Sequence, residues 1–148
     1  MVMFFVVKLK DLFEKQRDYP WQKPDNCPCC KSQRLWGHGF AEAIFDGYDK
    51  PLLLKLYRCP DCGCVIRIRP KGYFKRFQAS VETIRSSITL KSTKNRWLSV
   101  ISRTRQGHWF RALIKRIKAY LTETWAGGIV AGFDRLLQLG QAPVSRFI

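Results

Sequence analysis

The chain has 148 residues, 27 Lys+Arg against 11 Asp+Glu, and a formal net charge of +16. Apolar residues make up 46% and aromatics 14%, which is enough to bury a core and excludes a compositionally disordered chain. A charge this far from zero repels itself on compaction and calls for a polyanionic partner, nucleic acid first and an anionic membrane surface second.

The opening Met1–Val7 is apolar but has no basic stretch ahead of it and no small-residue cleavage site behind it, so it does not read as a signal peptide. No apolar run approaches the roughly 18–20 residues needed to cross a bilayer. The expected setting is the reducing cytoplasm, where cysteines serve as metal ligands more often than as disulfides. Residues 1–20 are set apart as an N-terminal extension.

All six cysteines, Cys27, Cys29, Cys30, Cys59, Cys62 and Cys64, lie in residues 1–66, which carry a net charge of only +2. Cys27-Pro-Cys-Cys30 and Cys59-Pro-Asp-Cys62-Gly63 each offer a Cys-x-x-Cys pair. That spacing lets two thiolates converge on one ion, with proline presetting the turn and Gly63 able to take a positive φ. Two such pairs supply four soft ligands, Cys27, Cys30, Cys59 and Cys62, which suits one structural Zn²⁺ in a closed tetrahedral sphere. Cys29 and Cys64 compete as ligands, and Cys64 is expected to point off the site. His38, between two glycines, is the remaining donor and is read as off the metal. Between the knuckles, Leu35–Phe40 with Ala43–Phe45 reads as one strand arm, Asp46-Gly47 as a hairpin turn and Leu52–Tyr57 as the returning arm. Cys64–Arg69 follows as a strand with Arg67 and Arg69 on one face and Ile66 and Ile68 on the other. Knuckle, hairpin, knuckle, strand over residues 21–70 is the layout of a zinc ribbon. No βαβ unit of the kind that carries redox Cys-x-x-Cys motifs is visible.

Arg69-Pro70-Lys71-Gly72 punctuates the chain. From Arg67 to Lys118 there are 15 basic residues and one acid, Glu82. Phe77, Val81, Ile84 and Ile88 predict a helix from Tyr73 to about Leu90. Lys91–Asn95 reads as a turn, and Arg96–Ile101 as a short apolar-periodic piece. Ser102 is placed to cap a second long helix marked by Phe110, Leu113, Ile114, Ile117 and Leu121. Arg111, Lys115 and Lys118 form a cationic stripe opposite that apolar face. Helix, short helix, tight turn, basic helix over residues 71–121 fits a helix-turn-helix arrangement. Arg103, Arg105, Gln106, His108 and Arg111 would open its recognition helix, with Arg and Gln able to pair with base edges. Arg67, Arg69, Lys71, Lys75, Arg76, Lys115 and Lys118 would meet phosphates. In residues 122–148, Gly127-Gly128 breaks the chain, Ile129–Leu139 is a short helix candidate and Gly140 stops it.

Several of these stretches together resemble short bacterial zinc-ribbon proteins associated with insertion-sequence transposases. They are Cys27-Pro-Cys-Cys30, Arg34-Leu-Trp-Gly-His-Gly-Phe40, Phe45-Asp-Gly47, Tyr57-Arg-Cys-Pro-Asp-Cys-Gly63, Arg69-Pro-Lys-Gly-Tyr73, Arg76-Phe-Gln78 and Ser102-Arg-Thr-Arg-Gln-Gly-His-Trp109. The resemblance covers about residues 20 to 120. It implies a DNA-binding component of a mobile element with Cys27, Cys30, Cys59 and Cys62 as zinc ligands. Such transposases cut DNA with three carboxylates that hold two Mg²⁺ ions. After residue 66 this chain has only Glu82, Glu123 and Asp134, so catalysis is not carried over.

The expected fold is therefore small α+β, a zinc-ribbon hairpin module followed by an all-α, helix-turn-helix-like basic module and a helical tail. The expected function is non-catalytic, nucleoid-associated binding of double-stranded DNA by a transposase-associated accessory factor, with a transposase or a second copy as protein partner and no membrane. An RNA-binding zinc ribbon and a remnant of a longer transposase are the alternatives.

Overall fold

The computed structural model describes residues 1–145; the last three residues of the expected 122–148 tail lie outside them. It is a small α+β structure with one four-stranded mixed sheet and four α-helices. The chain divides into two compact units, Met1–Gln78 and Ala79 onward. Among the described residues, no helix is long and apolar enough to cross a membrane.

The first unit holds strands β1 (Val2–Phe5), β2 (Trp36–Ala43), β3 (Leu52–Arg58) and β4 (Val65–Pro70), helix α1 (Leu9–Lys15) and a 3-10 turn at Gln16–Asp18. The sheet order is β1-β4-β3-β2. Residues 1–20 are part of this unit: β1 pairs parallel with β4, Val2 opposite Arg67 and Phe5 opposite Pro70. Helix α1 sinks Leu12 completely among Phe45, Leu52 and Leu54. Along β4, Ile66 and Ile68 join a second buried cluster with Cys27, Leu35, Tyr57 and Cys59, while Val65 and Arg67 stay exposed. That is the period-2 alternation expected of a half-buried strand. Trp21 touches both clusters.

The hairpin differs from its sequence reading at the turn. Ala43 pairs with Leu52, so residues 44–51 form a wide loop around Asp46-Gly47. Phe45 leaves the strand to become a fully buried core residue, edge-on to Tyr73 at 4.9 Å. In β2 the register shifts between Gly37 and Phe40, and Gly39 takes φ +76° there, the left-handed conformation in which glycine opens a bulge without strain.

The second unit consists of α2 (Val81–Lys94), α3 (Arg103–Tyr120) and α4 (Ile129–Gln138). The helix expected from Tyr73 starts only at Val81. Upstream, the Arg69 guanidinium takes the carbonyls of Phe74 and Phe77, and a helix through Tyr73 would need those oxygens for its own amides. Arg76 also lies at φ +67°, outside helical space. Ser80 caps α2 by accepting from the Thr83 amide at 3.0 Å. The helix continues through the expected turn at 91–94 and ends on Asn95 in the left-handed conformation, a role Asn fills cheaply. Residues 96–101 form a loop rather than a short helix. Ser102 caps α3 by accepting from the Arg105 amide at 3.3 Å.

Helix α3 buries Gln106, Trp109, Leu113 and Ile117, one stripe at helical spacing. Helix α4 follows Gly128, begins at Ile129 as expected, and buries Phe133 and Leu136. A Cβ at Gly132 would lie 2.5 Å from Ile117 Cδ1, so the bare glycine lets α4 approach α3 closely. Arg85 of α2 grips Asp134 of α4 with two bonds of 2.9 Å.

Candidate metal centre and basic surfaces

The two cysteine knuckles are built to one plan. In each, the amide of the first cysteine donates to the carbonyl five residues on, Cys27 to Ser32 at 2.8 Å and Cys59 to Cys64 at 2.9 Å. The amide of the residue four on returns to the first cysteine's carbonyl, Lys31 to Cys27 and Gly63 to Cys59, both at 2.9 Å. That returning residue is left-handed both times, Lys31 at φ +67° and Gly63 at φ +74°. The sequence signals Gly63 and gives no warning of Lys31. The turns aim backbone N–H groups at sulfur, and the Cys29 amide lies 3.4 Å from Cys27 Sγ.

β3 ends in the second knuckle and Leu35 anchors the chain leaving the first, which brings the four expected ligands together. The sulfurs of Cys27, Cys30, Cys59 and Cys62 all lie within 4.8 Å of one another. Cys27 and Cys59 are fully buried, and Cys30 and Cys62 form the open side. Cys27 to Cys62 is 3.6 Å and Cys30 to Cys59 is 3.5 Å. An ion holding four thiolates at about 2.3 Å sets neighbouring sulfurs about 3.8 Å apart, so the quartet is close to the size a tetrahedral thiolate-bound metal requires. His38 is exposed on β2 and belongs to no such cluster among the described residues.

The thiols ionise unequally. Hydrogen bonds from the amide of Cys30, then that of Cys29, and from the Cys62 and Cys59 thiols lower Cys27 to about 6. At Cys30 the Ser32 amide pulls the same way, but desolvation and the Cys59, Cys62 and Cys27 thiols outweigh it and push Cys30 up to about 12. Cys62 is raised as well: the Cys64 amide lowers it, while desolvation and Cys27 prevail. One thiolate is comfortable in this space and further negative charge is resisted. A cation at the centre removes that resistance, and for this reason thiolate sites bind metal with release of protons.

Cys29 and Cys64 stand beside the quartet, their sulfurs 2.8 Å apart. Cys27 lies within 4.8 Å of both. Their mutual hydrogen bond, with desolvation and the charge of Cys64 and Cys27, pushes Cys29 up to about 11.

The expected nucleic-acid contacts separate into surface and interior. In the first unit Arg67, Lys75 and Arg76 are exposed around a shallow cleft of about 350 Å³ that also touches Met1 and Leu56. Lys71 is exposed as well. Arg69, at the floor of that cleft, is only 5% exposed, bonded to Phe74 and Phe77 carbonyls and stacked over Phe45 at 5.1 Å. It is a structural clamp rather than a phosphate contact, because its donors face inward. In the second unit Arg103, Arg111, Lys115 and Lys118 are exposed on α3. Arg105 is half-buried over Trp109 at 5.3 Å.

Gln106 is corrected from base reader to core residue. It is fully buried. Its carbonyl accepts from Ser87 Oγ at 2.7 Å and the Leu98 amide at 2.8 Å, and its NH₂ donates to Leu98 and Ile101 carbonyls at 2.9 and 2.8 Å. Within the 96–101 loop, this one side chain pairs the Leu98 amide and carbonyl and the Ile101 carbonyl. His108 also turns inward, with Nε2 buried.

Sequence reasoning passed over a second cationic cleft of about 730 Å³ beside the start of α3, lined by Lys91, Arg96 and Arg103 around Trp97. Lys91 sits 4.7 Å over the Trp97 ring and donates to Asn95 Oδ1 at 2.6 Å. Its signal in the sequence is the run of Lys91, Lys94 and Arg96, which the turn reading of 91–95 hides. No protein-family model, no curated protein and no solved structure matches this chain.

Proposed function

We infer that the chain is a non-catalytic DNA-binding protein whose first unit is a zinc ribbon and whose second unit presents α3 to the duplex. One observation carries this reading. Arg103, Arg111, Lys115 and Lys118 stand exposed on α3, in a stretch from Arg67 to Lys118 whose one acid is Glu82. Solvated helix faces ordinarily mix signs, whereas a face of one sign complements a phosphate backbone. Arg103, in the first turn of α3, is placed to reach a base edge, and the stripe further along contacts phosphates. The four-thiolate quartet suits Zn²⁺ over harder ions. Its role is to hold the two knuckles and the sheet; all four donors come from the protein, which is the closed sphere of a structural site. The resemblance to zinc-ribbon proteins of insertion sequences supports a mobile-element accessory role, and an adjacent transposase gene or flanking inverted repeats would test it.

The test of DNA binding is fluorescence anisotropy with duplex DNA competed by structured RNA, on protein of measured zinc content. Duplex DNA is expected to win. Arg103→Ala is expected to reduce the preference for a cognate duplex, and Lys115→Ala to weaken all duplexes alike. Equal losses on cognate and random duplexes would remove the reading role from Arg103. Preferential binding of RNA would favour a second reading, which rests on Trp36, 59% exposed beside His38 on the edge strand β2. An exposed ring there offers an unstacked base a platform, and Trp36→Ala is then expected to weaken RNA but not DNA.

A further inference from the structure

The plan shared by the two knuckles makes two equivalent contacts between them. In each contact the third residue of one knuckle meets the sixth residue of the other. On one side Asp61 accepts from Ser32 Oγ, and Arg34 adds an ion pair to Asp61 at 3.0 Å. On the other side the same two positions are Cys29 and Cys64, sulfur to sulfur at 2.8 Å. The fold therefore holds these two positions within bonding reach, and the chain fills one pair with a hydrogen bond and the other with two thiols.

The distances also separate this pair from the quartet. Sulfurs bridged by a metal stand about 3.8 Å apart, close to the 3.5 and 3.6 Å seen in the quartet. At 2.8 Å, Cys29 and Cys64 are too close for that and nearer to the length of a disulfide, about 2.05 Å. Cys29 is exposed and Cys64 half-buried, so a small oxidant has access to them, while Cys27 and Cys59 are covered.

We propose that Cys29 and Cys64 are a redox modification site, forming a reversible disulfide that ties the two knuckles together from outside the metal quartet. With hydrogen peroxide as oxidant, one cysteine gives up its proton, its thiolate attacks the O–O bond to form a sulfenic acid, and the hydroxide that leaves takes up that proton as water. The second thiol attacks that sulfur, the S–S bond forms and a second water leaves. Two thiols have lost two electrons and two protons, and the peroxide has taken up both. A small-molecule thiol reverses the step by exchange. The bond would close a separation of 35 residues, so that the knuckles stay together when the metal is withdrawn. The proposal takes the quartet as the metal site inferred above.

The test uses the full chain, reduced and zinc-loaded, with metal content measured first. It is treated with hydrogen peroxide, alkylated, and mapped by mass spectrometry without reduction. The expected product is one intramolecular Cys29–Cys64 cross-link with zinc retained, absent in Cys29→Ser and in Cys64→Ser. A chelator is expected to strip zinc roughly tenfold more slowly from the cross-linked chain than from Cys64→Ser. Equal rates would overturn the holding role. Oxidation within the quartet with loss of zinc while Cys29 and Cys64 stay alkylatable would overturn the proposal, as would links between two chains or a second metal equivalent shielding the pair. In a Cys29→Ser, Cys64→Ser background, Ser32→Cys with Asp61→Cys is expected to restore a cross-link, and failure to do so overturns the equivalence of the two contacts. Reduced protein that holds no metal yet still forms the cross-link would count against the zinc reading alone.

Discussion

Gln106 shows how one side chain can decide whether a stretch is loop or helix. By type and position it suits a base edge, yet its amide is bonded on both sides to Leu98 and to Ser87 and Ile101. Gln106→Leu strands these loop groups without partners, at about 1–3 kcal/mol for each buried group left bare. Chemical denaturation is expected to show a loss of about 3 kcal/mol, well beyond the effect of a surface change; a loss under about 1 kcal/mol would mean that these bonds do not hold the 96–101 loop. The knuckles offer a paired test. Gly63 tolerates φ +74° and Lys31 endures φ +67° at the same place in the other turn. Gly63→Ala is expected to cost about 1 kcal/mol and Lys31→Gly to recover about 0.5–1 kcal/mol, because side chains clash in the left-handed region. Thermal midpoints of the zinc-loaded variants, moving in opposite directions, check it.

At the scale of elements, α2 and α4 are joined by the Arg85–Asp134 fork, whose two side chains are 45% and 42% exposed. The hydrogen bond from Arg85, followed by its charge, holds the Asp134 carboxyl below its ordinary value of 3.8. A carboxyl with a depressed folded pKa contributes above the unfolded pKa and loses that contribution as pH falls through the folded one. Asp134→Asn is therefore expected to cost at most about 1 kcal/mol near neutral pH, given solvent screening, and nothing below the folded pKa. Urea midpoints across that range check the sign. The sequence made β2, β3 and β4, the cap at Ser102 and the α4 boundaries legible, because alternation, capping hydroxyls and flanking glycines act locally; β1 reads only as part of an extension, because its partner β4 lies far along the chain. It failed where a distant group intervened. Arg69 takes the Phe74 and Phe77 carbonyls and so delays α2, and Gln106 keeps residues 96–101 from coiling. The four expected ligands were readable from spacing alone; the meeting of Cys29 with Cys64 was not, since it needs both knuckles folded against each other.

At the scale of the whole molecule, the cysteine quartet lies in the first unit and the cationic stripe of α3 in the second, and each is open to its own perturbation. If the quartet holds zinc as proposed, a chelator is expected to abolish the near-ultraviolet signal from Tyr57, within the cluster around Cys27 and Cys59, and from Trp21 packed against it, while most helical signal from the second unit persists. Loss of both signals together would mean that the units do not hold separately. Duplex affinity is expected to fall steeply with salt. Alanine at Arg111, Lys115 or Lys118 should each reduce the slope of log K against log salt by about 1 if that residue neutralises a phosphate.

The pairing of β1 with β4 has a consequence for how the molecule comes into being. Val2 lies beside Arg67 and Phe5 beside Pro70, so β1 lacks its strand partner until β4, made after β2 and β3, has been synthesised. Through that interval an apolar segment, Met1 to Val7, waits unpaired in the nascent chain. Contacts of such long sequence separation form late, and β1 is among the last strands of this unit to find its place.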